Sequence, residues 1–276
     1  MALSAINSMV VHNEGADLAC YVEGSGPLLL LVVGGNGDSR LFAPLSAQLA
    51  NRYTVVRYDR RANAHSTGDV NGEMDIAQQG HDAASVIRAM NAGKAYVFGN
   101  SAGANIALKL TQDHPHLVRG LVAHEPPVTG ILPDRARWRQ FFDCVYDAYR
   151  VEGGEAAMKL FASAFVGFDK NAPAPADQNG SHDRFLAHEF NVINRFVPDL
   201  NALRQGGVPM VTAVGLASGD AFYAQTAREL AHRLPCPCVE VIGNHLGYAF
   251  EATTFADQLH QIIASLSQAT AQHPAN

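Results

Sequence analysis

The chain alternates short, wholly apolar runs with longer stretches whose apolar positions recur about every 3.6 residues. Leu28-Leu29-Leu30-Leu31-Val32-Val33 has no polar position at all, which fits a strand covered on both faces, as in a parallel sheet packed between helices. Tyr53 to Tyr58, Ala95 to Phe98, Leu121 to Ala123, Pro209 to Val214 and Cys238 to Ile242 read as further strands. Between them, Ile76, Gly80, Ala83, Ile87 and Met90 fall on one helical face. A helix from about Phe42 to Ala50 and another from about Phe222 to Leu234 fill two more of the gaps. Phe255, Leu259, Ile262 and Leu266 form the buried stripe of a closing helix, after which the tail beyond about Ser267 reads as unstructured. At the other end, Met9 to His12 and Leu18 to Val22 flank Asn13-Glu14-Gly15-Ala16-Asp17 and predict a hairpin. Strands alternating with helices specify an α/β fold with a mainly parallel central sheet flanked by helices.

From Pro126 to about Gly207 the rhythm changes, and no strand pattern occurs. Trp138, Phe141, Val145 and Tyr149 share one helical face; Leu160, Phe161, Ala164 and Phe165 share a second; Leu186, Phe190, Ile193 and Val197 share a third. A proline-interrupted loop, Asn171 to Ala176, separates the second from the third. The expected organisation is therefore an α/β core of residues 1–126 and 208–276, with residues 127–207 inserted as a helical cap over the carboxyl edge of the sheet.

Composition narrows the function. A formal net charge of −6 over 276 residues leaves no basic stripe for nucleic acid. No apolar run is long enough to span a bilayer, and the opening residues MALSAINSMVVHNEG lack the charged and apolar regions of a signal peptide. Cys20, Cys144, Cys236 and Cys238 are scattered, and Cys236-Pro237-Cys238 has one residue between its thiols where a redox or zinc motif has two. A cytoplasmic protein with reduced thiols is the expectation. The histidines form no H-x-x-x-H or similar cluster, so no metal site is expected.

Chemistry concentrates at Gly99-Asn100-Ser101-Ala102-Gly103, a G-x-S-x-G pattern between a predicted strand and a predicted helix. That context makes it a nucleophile elbow, with small neighbours tolerating the sharp turn. A serine hydroxyl needs a base. Of 12 histidines, His245 alone follows the last strand on a glycine-rich turn, with His124 at another strand end as the runner-up. The base needs an acid to fix its tautomer, and two carboxylates compete: Asp220, after the strand ending at Val214, and Glu125, after the strand ending at Ala123. An oxyanion requires two backbone N–H groups; Ala102 follows the serine, and Gly35 lies in the turn after the Leu28–Val33 strand. Asn36, Trp138 and Asp220 are further candidates for contact with substrate.

Taken together, these pieces resemble an α/β-hydrolase over nearly the whole chain. Gly34-Gly35 resembles the oxyanion loop of that fold, with Val33 where many members carry histidine. Tyr58-Asp59-Arg60-Arg61 resembles its D-x-R-G-x-G-x-S segment, with Ala62 and Ala64 in place of the glycines. Ala123-His124-Glu125-Pro126-Pro127, Val214-Gly215-Leu216-Ala217 and Gly243-Asn244-His245 resemble the zearalenone lactonase branch. There the triad acid is the glutamate after this strand, so the resemblance favours Glu125 over Asp220. It implies a cofactor-free serine hydrolase acting on a small-molecule ester or lactone through Ser101, His245 and Glu125, with a homodimer one assembly open to it. The alternatives are a non-hydrolytic enzyme of the same fold (carbon–carbon cleavage, a lyase step or cofactor-free oxygenation) and a ligand receptor on a hydrolase scaffold.

Overall fold

In a computed structural model describing residues 6–169 and 181–272, the apolar runs assemble into one eight-stranded sheet in the order β1-β2-β4-β3-β5-β6-β7-β8. The predicted hairpin is β1 (Asn7–Asn13) and β2 (Ala16–Glu23), turned at Glu14 and Gly15, which both take positive φ. β2 also pairs antiparallel with β4 (Thr54–Tyr58). β3 (Leu28–Val32), β5 (Ala95–Asn100), β6 (Val118–His124), β7 (Met210–Gly215) and β8 (Cys238–Val241) continue the sheet in parallel.

The period-2 pleat sorts each apolar strand between two layers. Leu28, Leu30 and Val32 of β3 face one core, with Val97 of β5 and Leu121 and Ala123 of β6. Leu29, Leu31 and Val33 face the other, with Phe98 and Val122. The first layer is closed by α2 (Ile76–Ala89), α3 (Ala102–Asp113) and α9 (Phe222–Arg233); the second by α1 (Ala43–Leu49), the short α10 (Gly247–Phe250) and α11 (Ala252–Gln272). In α11 the buried stripe is Phe255, Leu259, Ile263 and Leu266, with Ile262 half-buried. The helix also runs past Ser267 to Gln272, since nothing before Pro274 interrupts it.

Between β6 and β7 the described residues hold no strand, only helices: α4 (Arg135–Glu152), α5 (Gly154–Ala162), α6 (Ser181–Arg184), α7 (Phe190–Arg195) and α8 (Leu200–Gly206). The proline-interrupted loop at 171–176 lies outside the described residues. Phe142 takes the fully buried place on α4 beside Trp138 and Val145, whereas Phe141 and Tyr149 are half-buried. Leu186, Phe190 and Ile193 are buried as the periodicity implies, but Val197 is exposed. It sits before Pro198, where the helical conformation is disfavoured and α7 has already ended.

The loop after β4 departs from glycine, yet it keeps a glycine-like backbone: Ala62 has φ of 60° and Ala64 of 47°. An L side chain in this region costs on the order of 1–2 kcal/mol. Ala64→Gly is accordingly expected to raise stability by about 1 kcal/mol after the entropy of the unfolded chain is counted. An unchanged or lowered denaturant midpoint would contradict this.

Candidate active site

The elbow is built by what is missing around it. Ser101 leaves β5 with φ of 56° and ψ of −128°, a conformation that non-glycine residues hold only when their surroundings enforce it. A Cβ on Gly99 would lie 2.5 Å from the Gly103 carbonyl, and one on Gly103 would collide with the Val32 carbonyl. A Cβ on Gly34 would stand 2.6 Å from the Asn100 carbonyl and 2.9 Å from the Ser101 Cβ. Gly34 and the elbow glycines are therefore one packing solution: they let the turn after β3 lie against the serine. The Ser101 N–H donates to the His124 carbonyl (3.0 Å), while Ala102 opens α3, where the first N–H groups have no acceptor within their own helix.

At the neighbouring strand ends, His245 Nδ1 stands 2.7 Å from Glu125 Oε2. The other carboxylate oxygen, Oε1, accepts the Gly215 N–H at 2.8 Å. Gly215 has to be glycine, because a Cβ would lie 2.7 Å from the Gly243 carbonyl and 2.9 Å from the Asn244 backbone, on the turn that carries His245. Glu125 is fully buried, and His245 is 4% exposed. Burial alone would raise the Glu125 carboxyl; the adjacent His124 and His245 imidazoles and the His245 hydrogen bond outweigh it and hold the group down at about 2. Glu125 is thus ionised at neutral pH, and the Nδ1 of His245 is committed to it as donor, which leaves Nε2 free for proton transfer.

The other strand-end histidine is spent differently. The Asn100 side-chain amide donates to the His245 carbonyl (3.1 Å), which can only accept, and this fixes which end of the amide is nitrogen. Its second hydrogen then goes to His124 Nδ1 at 2.9 Å, so the His124 proton is on Nε2. His124 stacks between Phe98 and His245, with Phe255 and Tyr248 edge-on. Burial pushes it down to about 4, against the opposing pull of Glu125. Because the folded value is depressed, the unfolded chain takes up this proton first. Stability is expected to fall by about 3 kcal/mol as the pH drops from about 6.5 to about 4. Urea midpoints across that range would check it, with His124→Phe expected to lose this part of the slope.

Asp220 does not reach this cluster. Its side chain is 98% exposed and 3.7 Å from Arg228. After β7 the chain makes a 3-10 turn at Leu216–Ser218 and reverses at Gly219, φ 50°, which carries Asp220 outward. Its carboxylate is thus placed apart from Ser101, His245 and Glu125, with Arg228 as its neighbour. Gly35 is exposed at the turn after β3 with φ of 46°, and the Gly34 carbonyl accepts the Gly37 N–H (3.0 Å). Across a planar trans peptide, this turns the Gly35 N–H away from the turn's interior. Asn36 is half-buried on the same turn. Trp138 is 9% exposed and packs on Phe222, at 5.0 Å between ring centroids, and on Phe142. It belongs to an aromatic cluster and makes no ring contact with His245.

Besides His124, the rings that meet His245 are Tyr223 at 4.3 Å and Phe165 at 5.4 Å. Neither they nor Asn100 stood out in the sequence. Asn100 had one available signal, since it is the variable residue just before the serine of the elbow pattern.

Among the described residues, no group of histidine, cysteine and carboxylate side chains is arranged to hold a metal, and no helix is long and apolar enough to cross a membrane.

Residues 27–192 match the profile of the alpha/beta hydrolase fold family. A Bacillus subtilis protein, described as the uncharacterized hydrolase YraK, is 31% identical over 267 residues, covering 94% of this chain and 96% of its own. Among solved structures, a thermophilic esterase from Thermogutta terrifontis superposes with a TM-score of 0.75 at 17% identity, over 96% of this chain and 100% of that one. The enol-lactonase from Burkholderia xenovorans gives 0.69 at 19% identity, over 93% and 100%. The sheet order, the strained serine between strand and helix, and a profile match over more than half the sequence agree: this chain belongs to the alpha/beta hydrolase fold family.

Proposed function

We propose that the protein is a serine hydrolase that cleaves a carboxylic ester or lactone through Ser101, His245 and Glu125. The observation that carries this reading is the 2.7 Å contact between Glu125 and His245 Nδ1, with His245 tethered to the elbow by Asn100. His245 Nε2 takes the Ser101 proton as Oγ attacks the carbonyl. The Ala102 and Gly35 N–H groups receive the negative charge on the carbonyl oxygen. Collapse of the tetrahedral species expels the alcohol, protonated by His245, and leaves an acyl-serine. His245 then activates the water that releases the acid. In a lactone both halves leave as one hydroxy acid.

The helical segment 127–207 is read as a cap, and its Phe165, with Tyr223 from α9, gives the histidine an apolar surround that favours an apolar acyl or ring substituent. A glutamate after β6 as the acid also fits the resemblance to zearalenone lactonases, which makes a macrocyclic lactone one substrate to assay. Incubation with a fluorophosphonate, followed by peptide mass spectrometry, tests the proposal. A single adduct on Ser101 is expected, and labelling elsewhere or none at all would overturn it.

A further inference from the structure

Arg60 is buried without any exposed surface, and its partners come from two distant parts of the chain. One nitrogen, Nη2, lies 2.7 Å from the Gly35 carbonyl and 2.6 Å from Glu189 Oε2, so its two hydrogens serve the turn after β3 and the helical segment together. The Arg60 backbone N–H also donates to the Gly37 carbonyl at 2.9 Å. The Gly34–Gly37 turn is thereby held at two points by one residue.

Glu189 is itself fully engaged. Its Oε1 accepts from Asn63 Nδ2 at 2.9 Å and faces Arg184 Nε at 3.6 Å. It is delivered by a π-helical turn, Phe185–Glu189, wedged between α6 and α7. Such turns recur where a helix has to present a side chain out of register. The Met74 N–H donates to the His188 carbonyl (2.8 Å), so this turn is docked on the segment after β4 as well.

A buried ion pair of this kind contributes little net stability compared with apolar residues of the same volume, because desolvation offsets the attraction. A hold on geometry is a better reason for it. We infer that Glu189 and Arg60 are positioning residues for the reaction proposed above. They transmit the seating of the helical segment to the Gly35 carbonyl, and so hold the Gly34–Gly37 turn in the conformation that leaves the Gly35 N–H turned outward to receive the oxyanion. The inference rests on the serine-hydrolase reading and adds to it a mechanical link between the segment over the site and the oxyanion loop.

The test compares Arg60→Met, Glu189→Met and the double variant, assayed with p-nitrophenyl butyrate, with an aryl trifluoromethyl ketone that mimics the tetrahedral species, and by thermal melting. Glu189→Met leaves the Arg60 charge buried without a carboxylate, and Arg60→Met leaves Glu189 with only Asn63 and the longer contact to Arg184, so each is expected to melt lower. The double variant removes both members of the buried pair, leaving only the partly exposed Arg184, and is expected to regain most of the lost melting temperature. Its kcat should nevertheless stay about 10- to 100-fold down, with KM within about twofold, as for a misplaced catalytic group. Its affinity for the trifluoromethyl ketone should fall by a similar factor. Recovery of kcat and ketone affinity together with the melting temperature would overturn the inference and leave the pair a purely structural one. If the wild type neither turns over an ester or lactone panel nor reacts with a fluorophosphonate, the hydrolase reading fails and this inference with it. That outcome is separate from one in which the wild type is active and the double variant is too.

Discussion

Ser101→Ala is expected to lower kcat on any ester or lactone that the protein turns over by a factor on the order of 10⁶, and to abolish fluorophosphonate labelling. The size follows from the serine's role in the proposed reaction: without Oγ no acyl-enzyme forms, and what remains is whatever the oxyanion N–H groups contribute to attack by water. Ser101 is also a residue whose backbone is held against its preference, at φ 56° and ψ −128°. Ser101→Gly should therefore be equally inactive yet more stable than wild type, by about 1–3 kcal/mol, because glycine occupies that region without the steric cost. An inactive protein with a raised melting temperature would mean that the strain is retained for chemistry. A Ser101→Gly protein that melts lower would mean that the elbow is held by side-chain contacts and not by the backbone.

The second large effect separates the two carboxylates. Glu125→Ala is expected to reduce kcat by about 10³- to 10⁴-fold, the loss that follows when a catalytic histidine is left without the group that fixes its tautomer. Asp220→Ala should leave kcat and KM within about twofold, since its side chain is in solvent beside Arg228. Glu125→Gln refines the result: it keeps the shape and an acceptor, but its amide cannot stabilise the imidazolium, so it should be nearly as inactive as alanine. The Glu125 carboxyl is held at about 2, below its ordinary 4.5, so the stability it contributes is present above about pH 4.5 and lost as the pH falls towards 2. The Glu125 variants should consequently show a flatter acid-unfolding curve in that window. Equal and small kinetic effects at both positions would refute the assignment of either acid.

Most of the scaffold was readable because its signals are local. An apolar run such as Leu28–Val33 declares a strand buried on both faces whatever lies around it. The Gly99–Gly103 pattern declares a turn too tight for side chains, and the Cβ positions that Gly99 and Gly103 would need are occupied by backbone. The same locality explains the misses. Periodicity placed Val197 on a buried face, but Pro198 had already ended the helix. It gave no hint of the π turn that rotates Glu189 into the interior. The alanines at 62 and 64 stand in place of glycines in a turn that the backbone forms nonetheless, at a strain of about 1–2 kcal/mol per residue.

By itself, then, the sequence determined the order of strands and helices, the elbow, and the short list of side chains able to do acyl chemistry. Each of these is fixed by spacing within a few residues. Only the tertiary structure puts Glu125 beside His245 and Asp220 out in solvent. Both follow strands, and what separates them is the path of the chain beyond the strand end: Gly215 and the turn at 243–244 close around Glu125, while Gly219 turns Asp220 out to solvent. Only the tertiary structure joined Arg60 to Glu189, 129 positions apart. A contact at that separation depends on how sheet and helices pack, and nothing in the neighbouring residues of either partner encodes it. The elbow was legible because a strained turn has to carry its own small residues; the contacts among the candidate side chains were not, because the fold brings them together from the ends of different strands.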